Sequence, residues 1–211
     1  MHSFRFAVQL ARASSGEGWA QMARRAESLG YDVLAMPDHL GNQLSPLAAL
    51  SAAAAATTRL RICAFVFAND YRHPLMLARE AATLDLLSGG RFEMGMGAGW
   101  MAADYRQLGM AYDPGPRRVD RLEEAVPLVK RLLVGETVTH AGPHYQLYGA
   151  SVGVETIQKP GPPLAIGAGG PRMLRLAGRE ADIVGLVPGF NGEGRPHLRQ
   201  ATEAATAHKV E

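Results

Sequence analysis

One cysteine, Cys63, stands among the 211 residues. No disulfide can form within the chain, and the thiol, set in an apolar run, reads as a small buried hydrophobe in a reducing, cytoplasmic setting. Excess charge is also missing. With 22 Lys and Arg against 20 Asp and Glu, the net charge is +2, which gives no argument for a nucleic-acid partner. Long apolar runs are absent. LAALSAAAAA at 47–56 is too short and too alanine-rich to span a bilayer, and MHSFRFAVQL lacks the apolar region and twin arginine of a leader, so no membrane association is expected. HExxH, CxxC and Walker motifs do not occur, which leaves metal and P-loop chemistry without support.

What remains is a profile that is 47% hydrophobic and 20% charged, suited to one globular domain over 1–211. Period-two or all-apolar segments recur as strands: FRFAVQL (4–10), DVLAM (32–36), LRICAFVF (60–67), RFEMGMG (91–97), LAIGA (164–168) and DIVGLV (182–187). Helices alternate with them. Trp19, Met22, Ala23, Ala26 and Leu29 fall at helical spacing, Ser45-Pro46 and His73-Pro74 open two more, and Val119, Leu122, Val126, Val129 and Leu132 mark a fourth that Pro127 should kink. A fifth covers 171–179, and the polar segment 196–209 is suited to begin another. The region 135–158 fits neither a long helix nor a barrel strand and reads as a small β-hairpin excursion. Strand–helix alternation implies a parallel sheet. ARASSGEGW after the first strand does not fit a dinucleotide fingerprint, which favours a (β/α)8 TIM barrel over an open doubly wound sheet. Six strands are visible where closure needs eight, so the expectation is a barrel truncated after about six βα units, with two exposed sheet edges as an aggregation liability.

Barrel chemistry lies at the C-terminal ends of strands. There the sequence places Asp38-His39, VFAND, GAGW and GAGGP. In strand four, Phe92, Met94 and Met96 share the face toward the helices, while Glu93, Gly95 and Gly97 face inward. The missing side chains at 95 and 97 admit two readings, space for a flat ligand or relief of a crowded interior. IGAGGP offers backbone N–H groups to a phosphate, or forms an ordinary tight βα turn. His39 either caps a strand end or handles a proton, with Asp38 orienting the ring or binding a ligand. His73, before a proline, reads as structural.

Taken together, GYDVLAMPDH, RHPLMLAREAATLDLLSGGRFEMGMGAGW, RVDRLEEAV and PPLAIGAGGPRMLRLAGREADIVGL resemble the bacterial luciferase-like monooxygenase superfamily, and within it the coenzyme F420-dependent oxidoreductases of actinobacteria. The resemblance runs over 4–209. It implies a (β/α)8 barrel, a homodimer, and a flat deazaflavin or flavin ring at the strand ends. It also implies a non-proline cis peptide behind that ring near Phe65, Val66 and Phe67, and His39 as the catalytic residue beside the hydride-transfer carbon. Asp38, Gly97, Ala98 and Gly99 match positions that line the cofactor, and Ala168, Gly169 and Gly170 the backbone that holds its phosphate. Trp100 stands where sugar-phosphate-oxidising relatives carry glutamate; it is assigned to the substrate pocket, and their acid–base scheme does not transfer. The implied function is hydride transfer between coenzyme F420 and a small organic substrate. The alternatives are an FMN-dependent monooxygenase and a non-catalytic flavin-binding remnant.

Overall fold

The computed structural model describes residues 4–186. Its elements run β1 (Ala7–Gln9), α1 (Gly16–Ser28), β2 (Val33–Met36), α2 (Pro46–Ala56), β3 (Arg61–Ala68), α3 (Pro74–Leu87), β4 (Phe92–Gly97), α4 (Ala102–Gln107), α5 (Gly115–Leu133), β5 (Val138–Ala141), β6 (Gln146–Ala150), β7 (Leu164–Ala168), α6 (Pro171–Glu180) and β8 (Ile183–Leu186). Six strands form one parallel sheet in the order β1-β2-β3-β4-β7-β8, and β5 pairs antiparallel with β6 as a separate hairpin. Among the described residues, β1 and β8 each have a neighbour on one side only.

The sheet is a layer because its helix-facing residues are apolar and continuous. Met36, Ile62, Phe67, Phe92, Met94, Met96 and Ile166 are buried against Ala23, Leu50, Leu77, Val126 and Leu174 from the helices. Alanine dominates α2, which keeps that helix thin, and Trp19 of α1 fills the adjoining space while its indole N–H donates to the Ala49 carbonyl at 2.7 Å. His73 is the N-cap of α3: its Nδ1 accepts from the Leu75 N–H at 3.2 Å, the structural role its place before proline suggests. Helix α5 continues through Pro127.

Three segments differ from the sequence reading. The first strand is confined to Ala7–Gln9; Phe4 and Phe6 precede it, 91% and 65% exposed, because no described element covers that flank of the edge strand. The short helix α4 was hidden in a stretch without a full apolar period, and α5 begins at Gly115, before the first apolar residue of its pattern. The segment 196–209 lies outside the described residues.

Candidate active site

The β3 bulge organises the strand ends. β3 and β4 pair in register up to Ala64–Met94 and resume at Phe67–Met96, and the Phe65–Val66 peptide between them is cis. The bulge turns Val66 into the concave side of the sheet, where three glycines make room for it. A Cβ at Gly97 would lie 2.6 Å from a Val66 methyl, one at Gly95 3.0 Å and one at Gly167 3.3 Å; at Gly95 it would also overlap the Ala64 carbonyl oxygen. Phe65 takes the matching space on β8, where a Cβ at Gly185 would lie 2.6 Å from its ring. Gly95 therefore answers to crowding. Gly97 does so as well, and it also forms cleft wall.

Above this floor lies a mostly apolar cleft of about 460 Å³. Asp38, His39, Phe65, Val66, Gly97, Ala98, Gly99, Trp100, Ala168 and Gly169 all line it. Phe67 and Gly170 are not among the lining residues. Phe67 resumes the register opposite Met96 and is buried on the helix side, under the Arg72 guanidinium 4.8 Å from its ring. Gly170 is the N-cap of α6, one residue beyond the wall.

Asp38 is not the partner of His39. Its carboxylate accepts from the Ala68 N–H at 3.0 Å and pairs with Arg72 at 2.5 Å, which ties the end of β2 to the end of β3. The imidazole is held instead by Asp104 of α4, 2.8 Å from Nδ1 and only 1% exposed. A carboxylate accepts, so Nδ1 carries a proton; in the neutral ring Nε2 then keeps its lone pair, and Nε2 has no partner among the described residues. Asp104 also accepts from the Leu40 N–H and the Tyr71 hydroxyl, each at 3.3 Å. Burial, with Asp104 beside it, raises the Tyr71 pKa, so that hydroxyl remains a donor at neutral pH. Trp100, 50% exposed, meets His39 edge to face at 5.4 Å between centroids.

The GAGW turn seats α4. Gly99 has a φ of +74°, and a Cβ there would overlap the Tyr105 hydroxyl. Tyr105 donates to Asp70 at 2.9 Å, and Arg121 of α5 pairs with Asp70 and Asp113, each at 2.6 Å. These contacts pin the 98–114 segment over the strand ends. Sequence reading missed Asp104, Tyr71 and Arg118. Asp104 follows GAGW by one helical turn, a usable signal, whereas Arg118 looked like any charge on a helix face. Among the described residues, no group of three or more His, Cys, Asp or Glu is placed to hold a metal ion, and no helix is long and apolar enough to cross a membrane.

Relatives share this arrangement of elements. The family model of the luciferase-like monooxygenases matches residues 1–209. The chain belongs to that family. It is 36% identical over 165 residues to the F420-dependent glucose-6-phosphate dehydrogenase of Microbacterium testaceum (strain StLB037), covering 74% of this chain and 48% of the relative. Over a similar stretch it is 34% identical to the 4-hydroxyprotoasukamycin monooxygenase of Streptomyces nodosus subsp. asukaensis, covering 75% of this chain and 44% of that enzyme. The coenzyme F420-dependent tetrahydromethanopterin reductase from Methanopyrus kandleri superposes with a TM-score of 0.85 at 26% identity, over 97% of this chain and 62% of its own. The half-barrel of parallel strands is thus that of the F420-dependent TIM-barrel enzymes. The chain spans about half the length of the curated relatives it matches.

Proposed function

We propose that this chain carries the ring-binding and proton-handling part of an oxidoreductase that transfers a hydride between coenzyme F420 and a small organic substrate. The observation that carries the reading is the His39–Asp104 pair on the wall of a cleft floored by the Phe65–Val66 bulge. The cleft suits a planar tricyclic ring. Its volume of about 460 Å³ falls within the range of small-molecule sites, its walls are largely apolar, and glycine at 97 and 167 keeps side chains out of the floor. When bound, the deazaflavin supplies the hydride chemistry. Phe65, Val66, Gly97, Ala98 and Gly99 would hold the ring, and Ala168 and Gly169 its phosphate-bearing tail.

The protein's own part is to manage a proton and exclude water. His39 offers Nε2 as acceptor, suited to take a proton from a substrate hydroxyl or return it to a carbonyl. Asp104 fixes the tautomer and stabilises the imidazolium that results. Trp100 packs edge to face on the His39 ring, and by the resemblance it stands where sugar-phosphate-oxidising relatives carry glutamate, so a substrate other than a sugar phosphate is favoured. A second reading, an FMN-dependent monooxygenase, is favoured by the similarity to the Streptomyces monooxygenase. A homodimer in a cytoplasmic setting completes the proposal, and light scattering checks the oligomer.

Equilibrium titration with coenzyme F420 and with FMN tests the reading. The F420 reading expects at least tenfold tighter binding of F420. A reversed preference moves the assignment to FMN, and failure of folded protein to bind either one removes the cofactor site.

A further inference from the structure

We propose that Arg118 anchors an oxyanion, a phosphate or a carboxylate, in the strand-end cleft; the inference rests on that cleft being the ligand site proposed above. A guanidinium has five N–H donors, and a buried donor without a partner calls for an explanation. Arg118 lines the cleft from the first turn of α5. Its Nη1 donates to the Gly99 carbonyl at 3.1 Å, and its guanidinium carbon lies 4.2 Å from the centre of the Tyr112 ring. Its Nε is buried and has no partner among the described residues. Nη2 lies beside Gly115, 3.7 Å from where a Cβ would stand. The Nε–Nη2 edge, which matches two oxygens of a carboxylate or phosphate, is therefore left unused by the described residues.

The neighbouring acids are already committed. Asp113 pairs with Arg121 at 2.6 Å, and Asp120 with Arg172 at the same distance. Arg172, which the sequence places in the glycine-rich turn region, is itself occupied by Asp120 and Glu123 and so is not the free cation there. Within the cleft, Asp38 is balanced by Arg72 and His39 is held by Asp104. Arg118 has no carboxylate within ion-pair distance among the described residues, so no direct anionic partner occupies its guanidinium there. The charge is also pre-positioned: the Tyr112 hydroxyl donates to the Trp100 carbonyl at 2.7 Å, fixing the ring on which the guanidinium rests.

Arg118 and Gly169 line the same cleft, so a cofactor phosphate is one source of the oxyanion. Gly99, which accepts from Arg118, and Trp100 line that cleft too, so an anionic substrate is the second. Calorimetry on the 211-residue chain and on Arg118→Met, which keeps length without charge, separates them. The probes are FMN against riboflavin, coenzyme F420 against its phosphate-free riboside, and inorganic phosphate added to protein saturated with whichever cofactor it binds. A tenfold or greater loss of FMN or F420 affinity, with the phosphate-free form unchanged within twofold, assigns the oxyanion to the cofactor. Unchanged cofactor affinity with a tenfold loss for inorganic phosphate assigns it to the substrate. Should Arg118→Met not fold, the Arg118 Nε–H resonance of the parent gives the answer, since it must shift on adding FMN, F420 or phosphate. A resonance that stays put at saturation, or equal affinities in parent and variant for all phosphate-bearing probes, overturns the proposal. If phosphate moves the resonance but no ring binds, the oxyanion site stands and the cofactor reading falls.

Discussion

The two ends of the sheet bury charge in different ways. At the N-terminal end, Glu93 accepts from both Arg5 and Arg61 at 2.5 Å, and Arg61 reaches Gln158 at 2.9 Å. Gln158 closes the set by donating to Asp85 at 2.6 Å and to the Phe92 carbonyl at 2.7 Å. Arg91 donates to the Ala54, Leu60 and Ser88 carbonyls, sealing the ends of α2 and α3 against the sheet. Even Cys63, next to Glu93 in space, is inert, because burial pushes its thiol pKa up to about 12. At the C-terminal end the groups are equally fixed but incompletely used: His39 keeps Nε2, and Arg118 keeps one edge of its guanidinium. The charged groups named at the first end are used up in holding the fold, and the second end holds capacity for a ligand. That division between scaffold and site is the one TIM barrels make.

The comparison can be broken most forcefully from the floor of the cleft. Gly95→Ala drives a methyl into the Ala64 carbonyl and Val66, and it should cost about 3 kcal/mol or more in a urea melt, the upper range for overpacking. A loss below about 1 kcal/mol would mean the β3 bulge is not held as described. Next is Glu93→Gln at the other end. Removing a buried carboxylate from two arginines should cost about 2–3 kcal/mol, less than for a fully buried pair because Arg5 and Arg61 retain contact with water. Cofactor affinity of the folded variant should stay within twofold, and a tenfold loss would couple the two ends.

Asp104→Asn sharpens the contrast from the site. It should lower turnover by about tenfold to hundredfold, part of the contribution of general acid–base catalysis, with ring affinity little changed. The nitrogen-15 spectrum of His39 in the ligand-free protein should show loss of the Nδ1–H tautomer in that variant, and Asp104→Glu should restore it in part. An unaltered tautomer would leave Asp104 a packing residue.

The smallest effect concerns pH. Burial raises the Glu124 carboxyl, but hydrogen bonds from His140 and from the Tyr145 and His144 N–H groups together outweigh it and hold its pKa below the ordinary 4.5. A depressed folded-state pKa stabilises above the unfolded value and is lost as pH falls through the folded one. Stability should therefore decline below about pH 4.5. Glu124→Gln should flatten that acid limb in pH-dependent melts and loosen the β5–β6 hairpin; an unchanged limb would assign it to other carboxylates.

Much of the scaffold was legible because its signals are local. The period of Phe92, Met94 and Met96 told which face meets the helices, and Ser45-Pro46 and His73-Pro74 marked helix starts. The strand-end positions of His39, Gly97 and Gly169 followed from the barrel rule. What escaped depends on contacts distant in the chain. Nothing near Val66 announces that glycines on β4 and β7 leave space for it, and nothing near His39 reveals a carboxylate 65 residues on. Adjacency favoured Asp38 as the partner, yet its carboxylate is claimed by Arg72 across the β2–β3 seam. Phe67 was placed with its neighbours Phe65 and Val66, and the bulge reverses that by resuming the register opposite Met96.

The most direct test of the division between the two ends is amide hydrogen exchange of the 211-residue chain with and without saturating coenzyme F420. Added protection should concentrate at 65–68, 97–100 and 167–169, while the amides of 61–63, 90–93 and 158 remain unchanged. Protection centred on the Glu93 end, or spread evenly over both ends at saturation, would contradict the account.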